Sequence, residues 1–201
     1  MMLVIFAITF PLELLGHYTH TFELFDWIAV CPELVWSGQV WRLLTYGFLG
    51  ASPVDWAVSL FWLATLLTII GRNWSTLEFW TYCLLAIFAG ALPVVLTRPH
   101  SEMLFTSNAA LLFALLVAWD WFYKNERLLL LGLGEISVRQ AAIGISILNS
   151  AILFFCCGWF LMLAMWCGGL AGWLYLFVRW KLVMGKTGAE VRSERIARLE
   201  L

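Results

Sequence analysis

Charged residues are scarce in this chain of 201 residues, where Asp, Glu, Lys and Arg together make up 12% while hydrophobic residues make up 63%. Soluble domains carry about 25% charged residues, so this composition excludes an ordinary soluble protein. The formal net charge is -1, which provides no bulk attraction to nucleic acid. We therefore expect a lipid bilayer, and no nucleic acid, among the partners of the chain.

Potential metal ligands and disulfide partners are also few. The five cysteines include no Cys-x-x-Cys pair, and most of them fall in apolar runs, which is typical of small buried side chains. His17, His20 and Glu23 are spaced by threes in a segment that mixes aromatic and charged residues. Such a mixture is better explained by a wet interfacial loop than by a metal site. The sequence therefore predicts no metal and no cofactor.

Long apolar runs dominate what is present. They cover residues 1–16, 54–71, 77–97, 103–119, 138–157 and 159–178. A helix needs about 20 apolar residues to cross a bilayer, so each run approaches the required length. The sequence predicts an all-α, polytopic membrane bundle of six transmembrane helices over residues 1–184, followed by a cytoplasmic tail over 185–201.

The distribution of Lys and Arg between the loops predicts the orientation. If the N-terminus lies inside, ten of the twelve Lys and Arg residues are inside, and only Arg42 and Arg98 are outside. That asymmetry follows the positive-inside rule. We expect both termini to be cytoplasmic and Ser107 to lie near the outer face, in a plasma membrane or a bacterial inner membrane.

Residues 17–53 form the longest connection between the predicted spans. Five aromatic residues between positions 27 and 48 alternate there with acidic residues and Arg42. Aromatic and charged side chains together favour the headgroup region of a bilayer. This connection is predicted to be an outer loop of short helices embedded in the membrane surface.

Two stripes of small residues predict a close helix contact. One consists of Ala110 and Ala114 in the fourth run, and the other of Ala164, Gly168 and Gly172 in the sixth. Small residues spaced by four lie on one helix face and allow two membrane helices to approach closely. Ser107 lies three positions before Ala110, and Met165 lies three before Gly168. The same contact would therefore bring Ser107 and Met165 together.

Two segments carry a resemblance to a known superfamily. Residues 38–49, GQVWRLLTYGFL, contain a Trp41-Arg42 pair followed by Leu-Leu-Thr-Tyr-x-Phe, and this resembles the outer loop of the rhomboid superfamily. Residues 124–133, KNERLLLLGL, are similar to the rhomboid turn between the fourth and fifth spans. The order of six spans, embedded loop, serine and glycine-rich last span also matches. The resemblance implies the rhomboid fold, with Trp41 and Arg42 as structural loop residues.

Active rhomboids are intramembrane serine proteases, and the resemblance locates their catalytic positions in this chain. The nucleophile of the family's Gly-x-Ser-Gly sequence corresponds to Ser107, with Phe105 and Asn108 at the two glycine positions. In the His-x-x-Gly-x-x-x-Gly sequence of the last span both glycines remain, as Gly168 and Gly172, whereas Met165 occupies the position of the histidine base.

The oxyanion positions differ from the family as well. Asp55 and Ser59 stand where the second span of an active rhomboid has histidine and asparagine. A thioether takes no proton at neutral pH, and an ionised Asp55 would repel the negative oxygen of the intermediate. The resemblance therefore implies a pseudoprotease, without enzymatic activity, that binds transmembrane segments of client proteins.

Two other functions remain open at this point. The chain would be an active intramembrane serine endopeptidase if another residue, with His100 as the candidate, served as base for Ser107. A small transporter or channel is the third hypothesis. It is less favoured, because no ionisable residue falls in the middle of a predicted span.

Overall fold

The structure is a computed structural model that describes residues 23–49, 53–70, 74–123, 126–130 and 134–184. This part of the chain is mostly helical. Its α-helices are α1 (Glu23–Ile28), α2 (Pro32–Trp36), α3 (Arg42–Thr45), α4 (Pro53–Ile70), α5 (Thr76–Thr97), α6 (Ala109–Tyr123), α7 (Val138–Ile152) and α8 (Trp159–Met184). A 3₁₀ turn at Tyr46–Phe48 follows α3, and a π-helical turn at Leu153–Cys157 follows α7.

Three helical segments in the described part are long and apolar enough to cross a membrane: Thr76–Thr97, Val138–Phe155 and Trp159–Leu182. They coincide with the predicted third, fifth and sixth spans. Leu60–Ile70 and Ala109–Tyr123 are shorter apolar helices, in the regions of the second and fourth. The first predicted span at 1–16 and the tail at 185–201 lie outside the described residues.

The fourth predicted span begins later than the sequence indicated. The apolar run at 103–119 predicted a helix that includes Ser107, but α6 begins only at Ala109. The preceding chain instead pairs with the segment after α1: the Phe105 amide donates to the Val30 carbonyl at 2.8 Å, and the Val30 amide donates to the Phe105 carbonyl at 3.0 Å. These bonds satisfy backbone groups that a helix would otherwise have used. The prediction that Ser107 is helical is therefore wrong.

A β-hairpin departs from the all-α prediction. The strands β1 (Arg127–Leu130) and β2 (Gly134–Ser137) pair antiparallel, where the sequence indicated only a charged turn and an apolar run. The hairpin pairs the backbone groups of the connection between α6 and α7 with one another. Arg127 and Glu135 form an exposed ion pair across it at 3.1 Å.

The central helix of the bundle is α6, which packs against α4, α5, α7 and α8. Its side chains from Ala110 to Leu116 are all buried. Helices α5 and α8 also pack along each other, and Glu78 at the start of α5 pairs with Arg179 near the end of α8 at 3.2 Å, so the two run antiparallel. We call this the Arg179 end of the bundle and the opposite one the Ser107 end.

Local sequence explains where two of the helices begin. Ser75 precedes α5 and accepts a hydrogen bond from the Glu78 amide, while the Glu78 side chain accepts from the Ser75 amide. Ser137 and Gln140 form the same reciprocal pair at the start of α7. Such capping boxes satisfy amides that have no partner within the helix. Between α7 and α8, Gly158 has a φ of 89°, a conformation that glycine adopts without steric cost.

Candidate functional site

The two small-residue stripes of α6 and α8 meet in the structure. A Cβ atom placed on Gly168 would lie 2.7 Å from the Ala110 Cβ and 2.8 Å from the Ala110 carbonyl oxygen. Both distances are far below ordinary van der Waals contact. The backbone of α8 therefore lies directly on α6 at Gly168, and any larger side chain there would separate the two helices.

The same pair of helices stays close one turn further along. A Cβ on Gly172 would lie 3.1 Å from the Ala114 Cβ and 2.5 Å from the Tyr82 hydroxyl. The Tyr82 hydroxyl itself donates to the Ala114 carbonyl. Gly172 thus leaves room for a buried tyrosine that ties α5 to α6.

A third helix, α5, takes part in this contact, which the two small-residue stripes of the sequence did not predict. A Cβ on Gly90 of α5 would clash with the Ala110 Cβ and lie 3.2 Å from the Ala164 carbonyl oxygen. Three helices therefore approach one another around Ala110. The sequence does indicate this contact, because Ala86 and Gly90 are small residues spaced by four on the buried face of α5.

At the Ser107 end of the bundle, a buried arginine holds the loop of residues 23–49. The Arg42 side chain is only 3% exposed. Its Nη1 donates to the Ala29 carbonyl at 2.7 Å and its Nε donates to Gln39 Oε1 at 2.7 Å. A buried guanidinium is stable only when its donors are satisfied. Arg42 therefore fixes α3 against Ala29. The next residue, Val30, pairs in turn with Phe105.

The neighbours of Arg42 tie the same loop to the helices. Trp41 is largely exposed and its Nε1 donates to the Trp27 carbonyl at 3.4 Å. Tyr46 is buried, and its hydroxyl donates to the Ile87 carbonyl on α5 at 2.8 Å. Burial raises the pKa of Tyr46 well above its ordinary value, so the phenol stays protonated and remains a donor.

Ser107 lies between this loop and the start of α6. Its side chain is 5% exposed, and its Oγ accepts a hydrogen bond from the Ala109 amide at 3.2 Å. A serine in this position satisfies one of the amides at a helix start, which is a structural role that serine often has. The hydroxyl is thus engaged with the backbone, two residues before the close contact at Ala110.

Met165 is buried on α8 and is 1% exposed. It precedes Gly168 by about one helical turn toward the Ser107 end, and Gly168 lies on Ala110. The structure therefore brings Met165 to the level of the bundle where α6 begins. The thioether offers no basic atom there.

Comparison with known proteins adds one decisive match. A family model described as eukaryotic integral membrane protein (DUF1751) matches residues 1–179. The chain belongs to this DUF1751 family. No curated protein and no solved structure matches the chain.

Membership of the DUF1751 family supports the prediction of an integral membrane protein in contact with lipid. The family is described as eukaryotic, which does not favour the bacterial inner membrane that the sequence left open.

Of the remaining candidate residues of this DUF1751 protein, only His100 has a side chain that the structure describes. Asp55 and Ser59 fall within α4, and their side chains are not among those described. His100 is exposed on the connection between α5 and α6. His17 and His20 lie outside the described residues. Among the described residues, His100 is thus the only histidine, and it lies in the solvent-facing loop.

Proposed function

We propose that this DUF1751 protein is a rhomboid-like, six-span membrane protein that has no proteolytic activity and binds transmembrane segments of client proteins. The proposal rests on Ser107, which is buried and bonded to the Ala109 amide, and on Met165, which is buried on α8 at the position that the resemblance gives to the histidine base. The rhomboid resemblance of residues 38–49 and 124–133 supports the choice of fold.

Methionine at the base position favours a pseudoprotease over an enzyme. A serine hydroxyl attacks a peptide bond only after a neighbouring group takes its proton. Removing the serine or histidine of a hydrolase costs about a millionfold in rate, and losing an oxyanion donor costs a further hundred- to thousandfold. His100, on its exposed loop, is the only described histidine that could serve as the base of an active protease.

The proposed topology places the Ser107 end outside and both termini inside. Among the described cations, only Arg42 and Arg98 belong to the Ser107 end, where Arg98 lies 4.1 Å from the ring centroid of Phe160. The Arg179 end has more cations: Arg127, Arg139, Arg179 and Lys181. Retention of cations on the cytoplasmic side favours this orientation.

Clients are proposed to bind along α4 and α7, two of the helices that pack on α6. Both keep large apolar side chains exposed, with Phe61 on α4 at 67% and Leu148 on α7 at 62%. Within a bilayer such surfaces contact lipid or another helix, and helix association there depends on close packing.

Photocrosslinking tests client binding. A photoreactive amino acid at Leu148 is expected to crosslink a single-span reporter protein in proteoliposomes at least about tenfold more than the same residue at Leu96 of α5. Leu96 is a matched control because it is an exposed leucine, at 63% against 62% for Leu148. Excess unlabelled transmembrane peptide should abolish the Leu148 crosslink. Equal crosslinking at both positions would show random encounter in the bilayer and contradict client binding on α7.

A further inference from the structure

A cleft lies between α6, α7 and α8, away from Ser107. It consists of two adjoining cavities with volumes of about 550 Å³ and about 280 Å³. Val117, Asp120 and Trp173 line both cavities, so the two are neighbours. Their combined size is within the range of protein sites that bind small molecules.

The lining of the cleft changes from polar to apolar along the bundle. At the Arg179 end it contains Asp120, Arg139 and Trp180. Toward the middle it contains Phe113, Ile147 and other apolar side chains. Seven residues of α6 separate Phe113 from Asp120, which is about 10 Å along the helix. The cleft is therefore amphipathic in the direction that crosses the membrane, like a phospholipid with its headgroup at the Arg179 end.

The two charged residues of the cleft have no counterion in the described part of the chain. Asp120 and Arg139 form no ion pair within 4.0 Å there. A ligand with one positive and one negative group would balance the charges of both residues.

The aromatic wall of the cleft distinguishes between possible cations. Trp173, Phe177 and Trp180 follow one another on one face of α8, and the rings of Trp173 and Phe177 stack at 5.4 Å. The Lys181 ammonium already lies 5.0 Å from the Phe177 ring centroid, so this wall accepts cations. Aromatic faces bind quaternary ammonium groups. The exposed Lys181 ammonium can leave its N–H groups to water, whereas a primary ammonium enclosed in the cleft would need three acceptors, and this lining offers a single carboxylate.

We propose that the cleft binds a phospholipid with a phosphocholine headgroup. The trimethylammonium group lies between Asp120 and the Trp173 and Trp180 rings, the phosphate accepts from Arg139, and an acyl chain follows Phe113 and Ile147. This site is separate from Ser107 and does not depend on client binding.

Native mass spectrometry of the purified full-length protein tests this proposal. The protein is equilibrated with equal amounts of phosphatidylcholine, phosphatidylethanolamine and phosphatidylglycerol that have identical acyl chains. Phosphatidylcholine is expected to be retained about tenfold over the other two. Equal retention of phosphatidylcholine and phosphatidylglycerol would overturn the proposal.

Variants assign the binding to the cleft. Asp120→Asn is expected to remove the preference over phosphatidylglycerol, whereas Glu135→Gln, which neutralises an exposed carboxylate on the hairpin, is expected to leave it unchanged. If Asp120→Asn fails to fold, Trp180→Leu replaces it, because Trp180 is 46% exposed; it should lose the preference over phosphatidylethanolamine. A preference unchanged in the folded variant would overturn the site.

A competition experiment distinguishes a lipid from a soluble ligand with the same headgroup. Glycerophosphocholine in millimolar excess is expected not to displace the bound phosphatidylcholine, because it lacks the acyl chain that occupies the apolar half of the cleft. Displacement by glycerophosphocholine would contradict the lipid and indicate a soluble phosphocholine compound instead.

Discussion

Gly168→Ala is expected to destabilise the protein by about 1–3 kcal/mol, the usual cost of overpacking a well-packed contact. The new Cβ would lie 2.7 Å from the Ala110 Cβ and 2.8 Å from its carbonyl oxygen. A backbone oxygen cannot rotate away as a flexible side chain does, so α6 and α8 must separate. Thermal unfolding of the purified protein in detergent measures the loss.

Gly144→Ala is the matched control, because it makes the same chemical change in α7, where nothing lies within 4 Å of the new Cβ. We expect it to keep or slightly raise the unfolding temperature, since alanine is favoured over glycine in a helix by about 0.5–1 kcal/mol. If both variants unfold at the same temperature, the close approach of α6 and α8 at Ala110 does not stabilise the bundle.

Arg42→Met is expected to cost about 3–6 kcal/mol, since two hydrogen bonds from a charged donor are lost and each contributes about 1.5–3 kcal/mol. Methionine retains the apolar length of the side chain but leaves the Ala29 carbonyl and the Gln39 amide oxygen without their donor. The loop of residues 23–49 should become sensitive to proteolysis before the helices unfold. Limited proteolysis and thermal unfolding together measure both effects.

Arg127→Met provides the comparison for Arg42. It removes an arginine whose side chain is 77% exposed and whose partner Glu135 is 57% exposed. Exposed ion pairs contribute little, about 0–1 kcal/mol. A loss from Arg42→Met no larger than that from Arg127→Met would show that the buried guanidinium does not hold the loop.

The features of this fold that depend on local spacing could be predicted from the sequence. Three of the predicted spans coincide with helices that can cross a membrane, because about 20 apolar residues in succession have few other stable conformations. The approach of Gly168 to Ala110 follows from small residues every four positions, since that spacing defines a helix face.

Other features depend on partners far along the chain, and the sequence does not show them. Ser107 lies before α6 because Phe105 pairs with Val30, a contact that no local pattern encodes. The first strand of the hairpin, Arg127–Leu130, consists mainly of leucines, which equally suit a helix. Asp120 looks like an interfacial residue in the sequence, and only the packing of α7 and α8 around it creates the amphipathic cleft.

Reaction with a fluorophosphonate, which labels only activated serines, tests most directly whether Ser107 is catalytically silent. The protein and its Ser107→Ala variant are treated alongside an active rhomboid protease, after thermal unfolding has shown that both are folded. We predict no labelling above the Ser107→Ala background, because Met165 cannot take the serine proton. Labelling that disappears in Ser107→Ala would contradict the account and show that another group, with His100 as the first candidate, serves as the base.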